Sequence, residues 1–130
     1  MALAAGPPRT GYFAPMTTIL YGIPNCDTVK KARDWLQTKG VAYKFHDYKK
    51  AGIDEAHLRA WSQTFGWDKV LNRAGTTFKA LPAEHKADLG EDNAIALMLA
   101  QPSMIKRPIL EHPGGQLIGF KAPEWDAALG

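Results

Sequence analysis

The sequence predicts an α/β domain in which a small mixed sheet is flanked by helices. Three observations carry that expectation. Residues 18–47 read as strand, helix, strand; residues 53–102 carry helical signals around an irregular middle; residues 107–129 read as a hairpin followed by a helix. A strand–helix–strand unit of this length implies a right-handed crossover and parallel pairing. The order is therefore βαβ, a helical insertion, then ββα.

Taken in order, Met1 to Met16 is Ala-rich, then carries Gly6-Pro7-Pro8-Arg9 and Gly11-Tyr12-Phe13-Ala14-Pro15, with neither strand nor helix period. Leu3-Ala4-Ala5 is too short for the apolar core of a signal peptide. We read 1–16 as a disordered extension, an upstream start or an expression artefact, with Met16 as a natural start, and 17–130 as a single domain.

Thr18 to Tyr21 reads as an apolar strand, and Gly22-Ile23-Pro24 as a turn. The first helix opens at Asn25 or Cys26 as N-cap, with Asp27 in its first turn, where an acidic side chain suits the helix dipole. Val29, Ala32 and Leu36 recur at helical spacing, and Gly40 ends the helix as its C′ residue. Val41 to Asp47 alternates, placing Val41, Tyr43 and Phe45 on one face of a second strand. Lys49-Lys50-Ala51-Gly52 turns the chain.

Asp54 caps a helix that buries Leu58, Trp61 and Phe65 and stops at Gly66, with Ile53 and Leu58 spaced as a hydrophobic staple. Trp67 to Leu81 is the least regular stretch and reads by itself as a solvated loop. A short helix follows between Pro82 and Asp88. Another starts near Glu91-Asp92, buries Ile95, Met98 and Leu99, and stops at Pro102. Arg107 to Leu110 begins a strand, Pro113-Gly114-Gly115 connects, and Gln116 to Phe120 pairs back. Pro123 at N1 opens the last helix, with Trp125, Ala128 and Leu129 turned inward.

Composition narrows the function classes. No run of about 18 apolar residues exists, so no membrane span is expected. A formal charge of +3 does not by itself imply nucleic acid, but it suits small anionic ligands. One cysteine closes no internal disulfide, and the cytoplasm is the default compartment. His46, His57, His85 and His112 are scattered, with no Cys or second His at ligand spacing, so no metal site and no bound cofactor are expected.

Cys26 is the candidate nucleophile. A thiol at a helix start faces backbone N–H groups without intrahelical partners and the positive end of the dipole. Both favour thiolate and lower the pKa from about 8.5. The helix end contributes about 0.3–2 kcal/mol, so a larger shift needs cations, and Lys30 lies one turn along the same face. Ordinarily a lone cysteine is a small buried hydrophobe; its place at the helix start is what argues for reactivity.

Tyr21-Gly22-Ile23-Pro24-Asn25-Cys26, the Lys-rich helix after it, and Ile105-Lys106-Arg107-Pro108-Ile109 together resemble the ArsC/Spx family, most closely its YffB-type branch, from about Thr17 to the C-terminus. The resemblance implies a thioredoxin-like, glutaredoxin-related fold, with the helical block as its insertion. It also implies that Pro108 is a cis-proline beside the thiol, leaving nearby backbone free to pair with a peptide such as glutathione. By the same resemblance Cys26 matches the nucleophile, and Arg73 and Arg107 match two arginines around it. Guanidinium groups suit that place because they stay charged and hold oxyanions or carboxylates bidentately. Asn25 and Thr28 stand where they could hydrogen-bond the thiolate or a ligand, or simply cap the helix.

This sequence also departs from the family pattern. The histidine four residues before the arsenate reductase nucleophile falls at Gly22. The third arginine aligns with Phe120, with Lys121 beside it as an imperfect stand-in. Losing one such cation should weaken arsenate binding by about 1.5–3 kcal/mol. The second cysteine of the Spx-type Cys-x-x-Cys switch falls at Val29.

The function this implies is a monothiol, glutathione-dependent thiol/disulfide oxidoreductase. Cys26 forms a mixed disulfide with a small oxidised substrate or protein disulfide, and glutathione, drawn by Lys30, Lys31, Arg73 and Arg107, resolves it. Two other readings stand beside it: an arsenate reductase coupled to glutathione and glutaredoxin, and an Spx-like regulator binding RNA polymerase. No contact with nucleic acid or membrane is expected in the leading reading.

Overall fold

A computed structural model describes residues 17–129; the extension read at 1–16 and the terminal Gly130 lie outside the described residues. The strands are β1 (Ile19–Gly22), β2 (Lys44–Asp47), β3 (Ile109–His112) and β4 (Gly115–Ile118). They form a four-stranded sheet in the order β2-β1-β3-β4. β1 and β2 are parallel, as the crossover requires, whereas β3 runs antiparallel to both β1 and β4.

Side chains alternate across a strand, so the sheet has two distinct faces. Leu20 and Leu110, paired across β1 and β3, point to one face and pack with Val29, Ala32 and Leu36 of α1 (Asp27–Thr38) and Trp125 of α8 (Ala122–Leu129). Tyr21 and Ile109, also paired, point to the other, under α2 (Tyr48–Ala51), α3 (Glu55–Phe65), α4 (Trp67–Val70), α5 (Thr76–Lys79) and α7 (Glu91–Ala100). The short α6 (Ala83–Lys86) sits in the same helical block and buries none of its residues. Among the described residues, no helix is long and apolar enough to cross a membrane.

Several local expectations hold. Asp54 caps α3 by accepting a hydrogen bond from the His57 amide at 2.8 Å, and Ile53 packs on the cluster that holds Leu58. Gly40, at φ +72, closes α1, where Val41 N–H bonds the Leu36 carbonyl at 2.9 Å.

Others need correction. β2 starts at Lys44, not Val41, because only Lys44 onward pairs with β1; Val41, Tyr43 and Phe45 nevertheless pack on the α1 face. Leu99 is 37% exposed and Ala128 is exposed. In α7 the inward stripe is Ala94, Ile95 and Met98, and Leu99 lies about 100° round from Met98. Pro123 is the second residue of α8 rather than the first.

The largest correction is Trp67 to Leu81. Instead of a solvated loop it holds α4 and α5, buries Val70, Leu71 and Phe78, and pairs Leu71 with Ile105 in an isolated antiparallel bridge. Short helical turns interrupted by Asn72-Arg73-Ala74-Gly75 leave too few residues for any period to show.

Candidate active site

Cys26 occupies the N-cap of α1 with extended backbone (φ −145, ψ 125) and is half-buried. Its carbonyl accepts the Lys30 amide at 2.9 Å, the first bond of the helix. Burial alone would push the thiol up. The Val29 amide, the Arg107 guanidinium and the Thr28 amide favour the ionised sulfur and outweigh it, holding the thiol below its ordinary range. Thus the N-cap position brings two backbone amides to bear on the sulfur, and a single side chain supplies the charge.

That charge arrives from the other end of the chain. The Arg107–Pro108 peptide bond is cis, and Pro108 is buried beside β1 at the foot of β3. Arg107 is partly buried, and its Nη1 donates to the Ser103 carbonyl at 2.9 Å. Burial disfavours its charge, yet the bond to Cys26 and its proximity to Tyr48 hold it more firmly protonated than usual. Tyr48, fully buried at the start of α2, lies within hydrogen-bonding reach of the same guanidinium.

Sequence reasoning passed over Tyr48. Extending the alternation of Val41, Tyr43 and Phe45 would have put His46 and Tyr48 together on the opposite face, which was the available signal.

Beside Arg107 opens a cavity of about 570 Å³, large enough for an organic ligand. Arg73, Thr28, Phe120 and Lys121 all line it, joined by Lys69 and Lys106, neither of which the sequence singled out. Among the described residues its charged lining is Lys69, Arg73, Lys106, Arg107 and Lys121 against Asp68 alone. The Arg73 guanidinium stacks over Trp67 at 5.8 Å, and the exposed Lys121 is only loosely paired with Glu124 at 4.0 Å. Phe120 is held edge-on by Trp125 at 4.9 Å and forms an aromatic wall.

The remaining sequence candidates lie further out. Asn25 is exposed and lines a separate depression with Ile23, Pro24, Asp47, Lys49 and Lys50. Lys30 is exposed, and the groups that act most on the sulfur include neither it nor Arg73.

Gly22 explains one departure from the family pattern in packing terms. A Cβ there would meet Val29 Cγ2 at 2.9 Å, so the buried valine occupies the space any side chain at 22 would need. Among the described residues no group of three or more His, Cys, Asp or Glu is arranged to hold a metal ion.

A helix-start cysteine, facing an arginine that precedes a cis-proline, on a mixed sheet of this order, defines a thioredoxin-like protein. Residues 21–128 match the ArsC family, and the chain belongs to it. It is 41% identical over 110 residues to an uncharacterised protein of Haemophilus influenzae, covering 85% of this chain and 96% of that one. A solved structure of the YffB (PA3664) protein is 61% identical, with a TM-score of 0.86 over 88% of this chain and 100% of the other. An arsenate reductase (ArsC) related protein from Brucella melitensis is 50% identical, with a TM-score of 0.69 over 86% and 93%.

Proposed function

We propose that the protein is a monothiol, glutathione-dependent thiol/disulfide reductase working in a reducing cytoplasm. The observation that carries this reading is the half-buried Cys26 thiol, held low by the Val29 and Thr28 amides and the Arg107 guanidinium, with Arg107 and Thr28 themselves lining a cation-rich cavity. In the first step Cys26 Sγ attacks one sulfur of a glutathione mixed disulfide, RS–SG. A Cys26–glutathione disulfide forms, the old S–S bond breaks, and RS⁻ leaves to take a proton from water. In the second step the thiolate of a free glutathione attacks the glutathionyl sulfur, producing GSSG and restoring the Cys26 thiolate. RS–SG and one glutathione thiol thus give RSH and GSSG, one S–S bond being exchanged for another, and no second cysteine is needed.

The residues divide the work by chemistry. The Val29 and Thr28 amides and Arg107 keep the nucleophile ionised and stabilise it as a leaving group in the second step. Arg73, Lys69, Lys106 and Lys121 attract the carboxylates of glutathione.

The test is turnover of a glutathionylated peptide with reduced glutathione as sole reductant. Wild type turns over, Cys26→Ser does not, and Arg107→Ala slows it by about tenfold or more, the range for losing one charge-assisted hydrogen bond. Turnover that survives Cys26→Ser would overturn the reading.

A second reading, arsenate reduction, is favoured by Arg73 and Arg107 lining one cavity. Against it stands Phe120, locked among Trp35 and Trp125 where a third arginine would serve. Arsenate-dependent oxidation of glutathione and glutaredoxin, lost in Cys26→Ser, would favour it over disulfide reduction.

A further inference from the structure

Tyr48 is a buried hydroxyl that the thiol chemistry leaves unused. It is fully enclosed, and its hydroxyl donates to the Ile105 carbonyl at 3.0 Å. The segment it grips leads into the cis-proline and carries Arg107. From one side that segment is tied by backbone bonds, Lys106 N–H to the Val70 carbonyl and Asn72 N–H to the Met104 carbonyl, both at 2.7 Å. Tyr48 grips it from the opposite side, out of the β2–α2 junction.

The guanidinium itself has few anchors. Arg107 Nη1 donates to Ser103, within its own segment. Its protein partners outside that segment are the Cys26 sulfur and the Tyr48 oxygen. Cys26 must be free to form and break disulfides, which leaves Tyr48 as the lasting partner outside the segment that carries Arg107.

We propose that Tyr48 is a positioning residue: its buried hydroxyl, donating to Ile105 and accepting from Arg107, keeps that guanidinium aimed at Cys26 Sγ. The proposal rests on the reading of Cys26 as an ionised nucleophile and names the device that holds its counter-charge. The charged groups acting on the phenol are Arg107, Cys26 and, at the end of β2, Asp47. Burial pushes the phenol well up, so it stays a neutral donor and acceptor across the working pH range.

Because Cys26 is the sole cysteine, alkylation by iodoacetamide reports on it alone. Tyr48→Phe keeps the ring and removes the oxygen. The alkylation–pH midpoint is expected to rise, with rates below the wild-type midpoint falling about twofold to tenfold, as for loss of one hydrogen bond. In an Arg107→Ala background the same substitution should change the midpoint no further.

A merely structural tyrosine would lower the melting temperature without moving that midpoint. A midpoint unchanged or lowered by Tyr48→Phe, or raised equally without Arg107, overturns the proposal. If Tyr48→Phe does not fold, 3-fluorotyrosine in place of Tyr48 keeps the shape but weakens the oxygen as an acceptor. It should raise the midpoint by a smaller amount, and no rise overturns the proposal. Alkylation needs no glutathione, so failed turnover of glutathionylated peptide would sink the reductase reading while leaving this one standing.

Discussion

The two faces of the sheet are built on opposite principles. Under α1 and α8 the core is Leu20, Val29, Ala32, Leu36, Leu110 and Trp125; the buried polar residues that share this face by strand alternation, Thr18 and His112, lie at the strand ends, and the Trp125 indole N–H reaches the Gly119 carbonyl at the margin. Under α2 to α7 polar atoms run through the middle. Glu111, 5% exposed, accepts from Tyr21 Oη at 2.8 Å and from Trp61 Nε1 at 2.9 Å. Tyr48 reaches the Ile105 carbonyl on the same side. An apolar face tolerates small slides as long as volume is kept, whereas a buried hydrogen-bonded face is correct in one arrangement only. The nucleophile comes from the first face and its counter-charge from the second. The difference teaches that the sulfur needs only a helix start, while the arginine needs an exactingly held support.

Substitutions can break that contrast. Trp125→Ala empties the largest side chain of the apolar face and should cost about 3–5 kcal/mol, read by denaturant unfolding. It should leave the Cys26 alkylation midpoint near wild type in the fraction that stays folded, because the groups bonding the sulfur are untouched. Glu111→Gln is nearly isosteric but turns an amide N–H₂ toward one of two buried donors, and should cost about 1–3 kcal/mol. Glu111→Gln with no measurable cost would erase the distinction between the faces.

The smallest effect sharpens the link between them. The Cys26 thiol is lowered in the folded protein relative to its ordinary value. The stabilisation it confers is thus fully present above the unfolded value and lost as pH falls through the folded one. The stability of wild type over Cys26→Ser should therefore grow with rising pH between the folded pKa and the ordinary one, as melting curves across that window would show. A difference that is flat with pH would mean that the sulfur gains no ionising partners on folding.

Much of this was legible beforehand because it is local. Cys26 at a helix start, Asp54 as a cap and Gly40 as a terminator each depend on a handful of neighbours in the chain. Arg107 and Pro108 were legible through resemblance, since no periodicity points to them. Tyr48, Lys69 and Lys106 were missed: each matters because distant segments converge, and of the three only Tyr48 continues a pattern, the β2 alternation, that sequence spacing reveals. Leu99 and Ala128 were misplaced because an apolar residue on the flank of a helical stripe reads like one at its centre.

By itself, then, the sequence determined the element order, the mixed sheet and the placing of a lone thiol at a helix N-terminus, because capping, alternation and helical period act over a few residues. Tertiary structure alone decided which cation reaches that thiol, what holds the cation, and which charges share its cavity. Those depend on contacts such as Tyr48 to Ile105, 57 residues apart, where packing rather than spacing brings the atoms within reach.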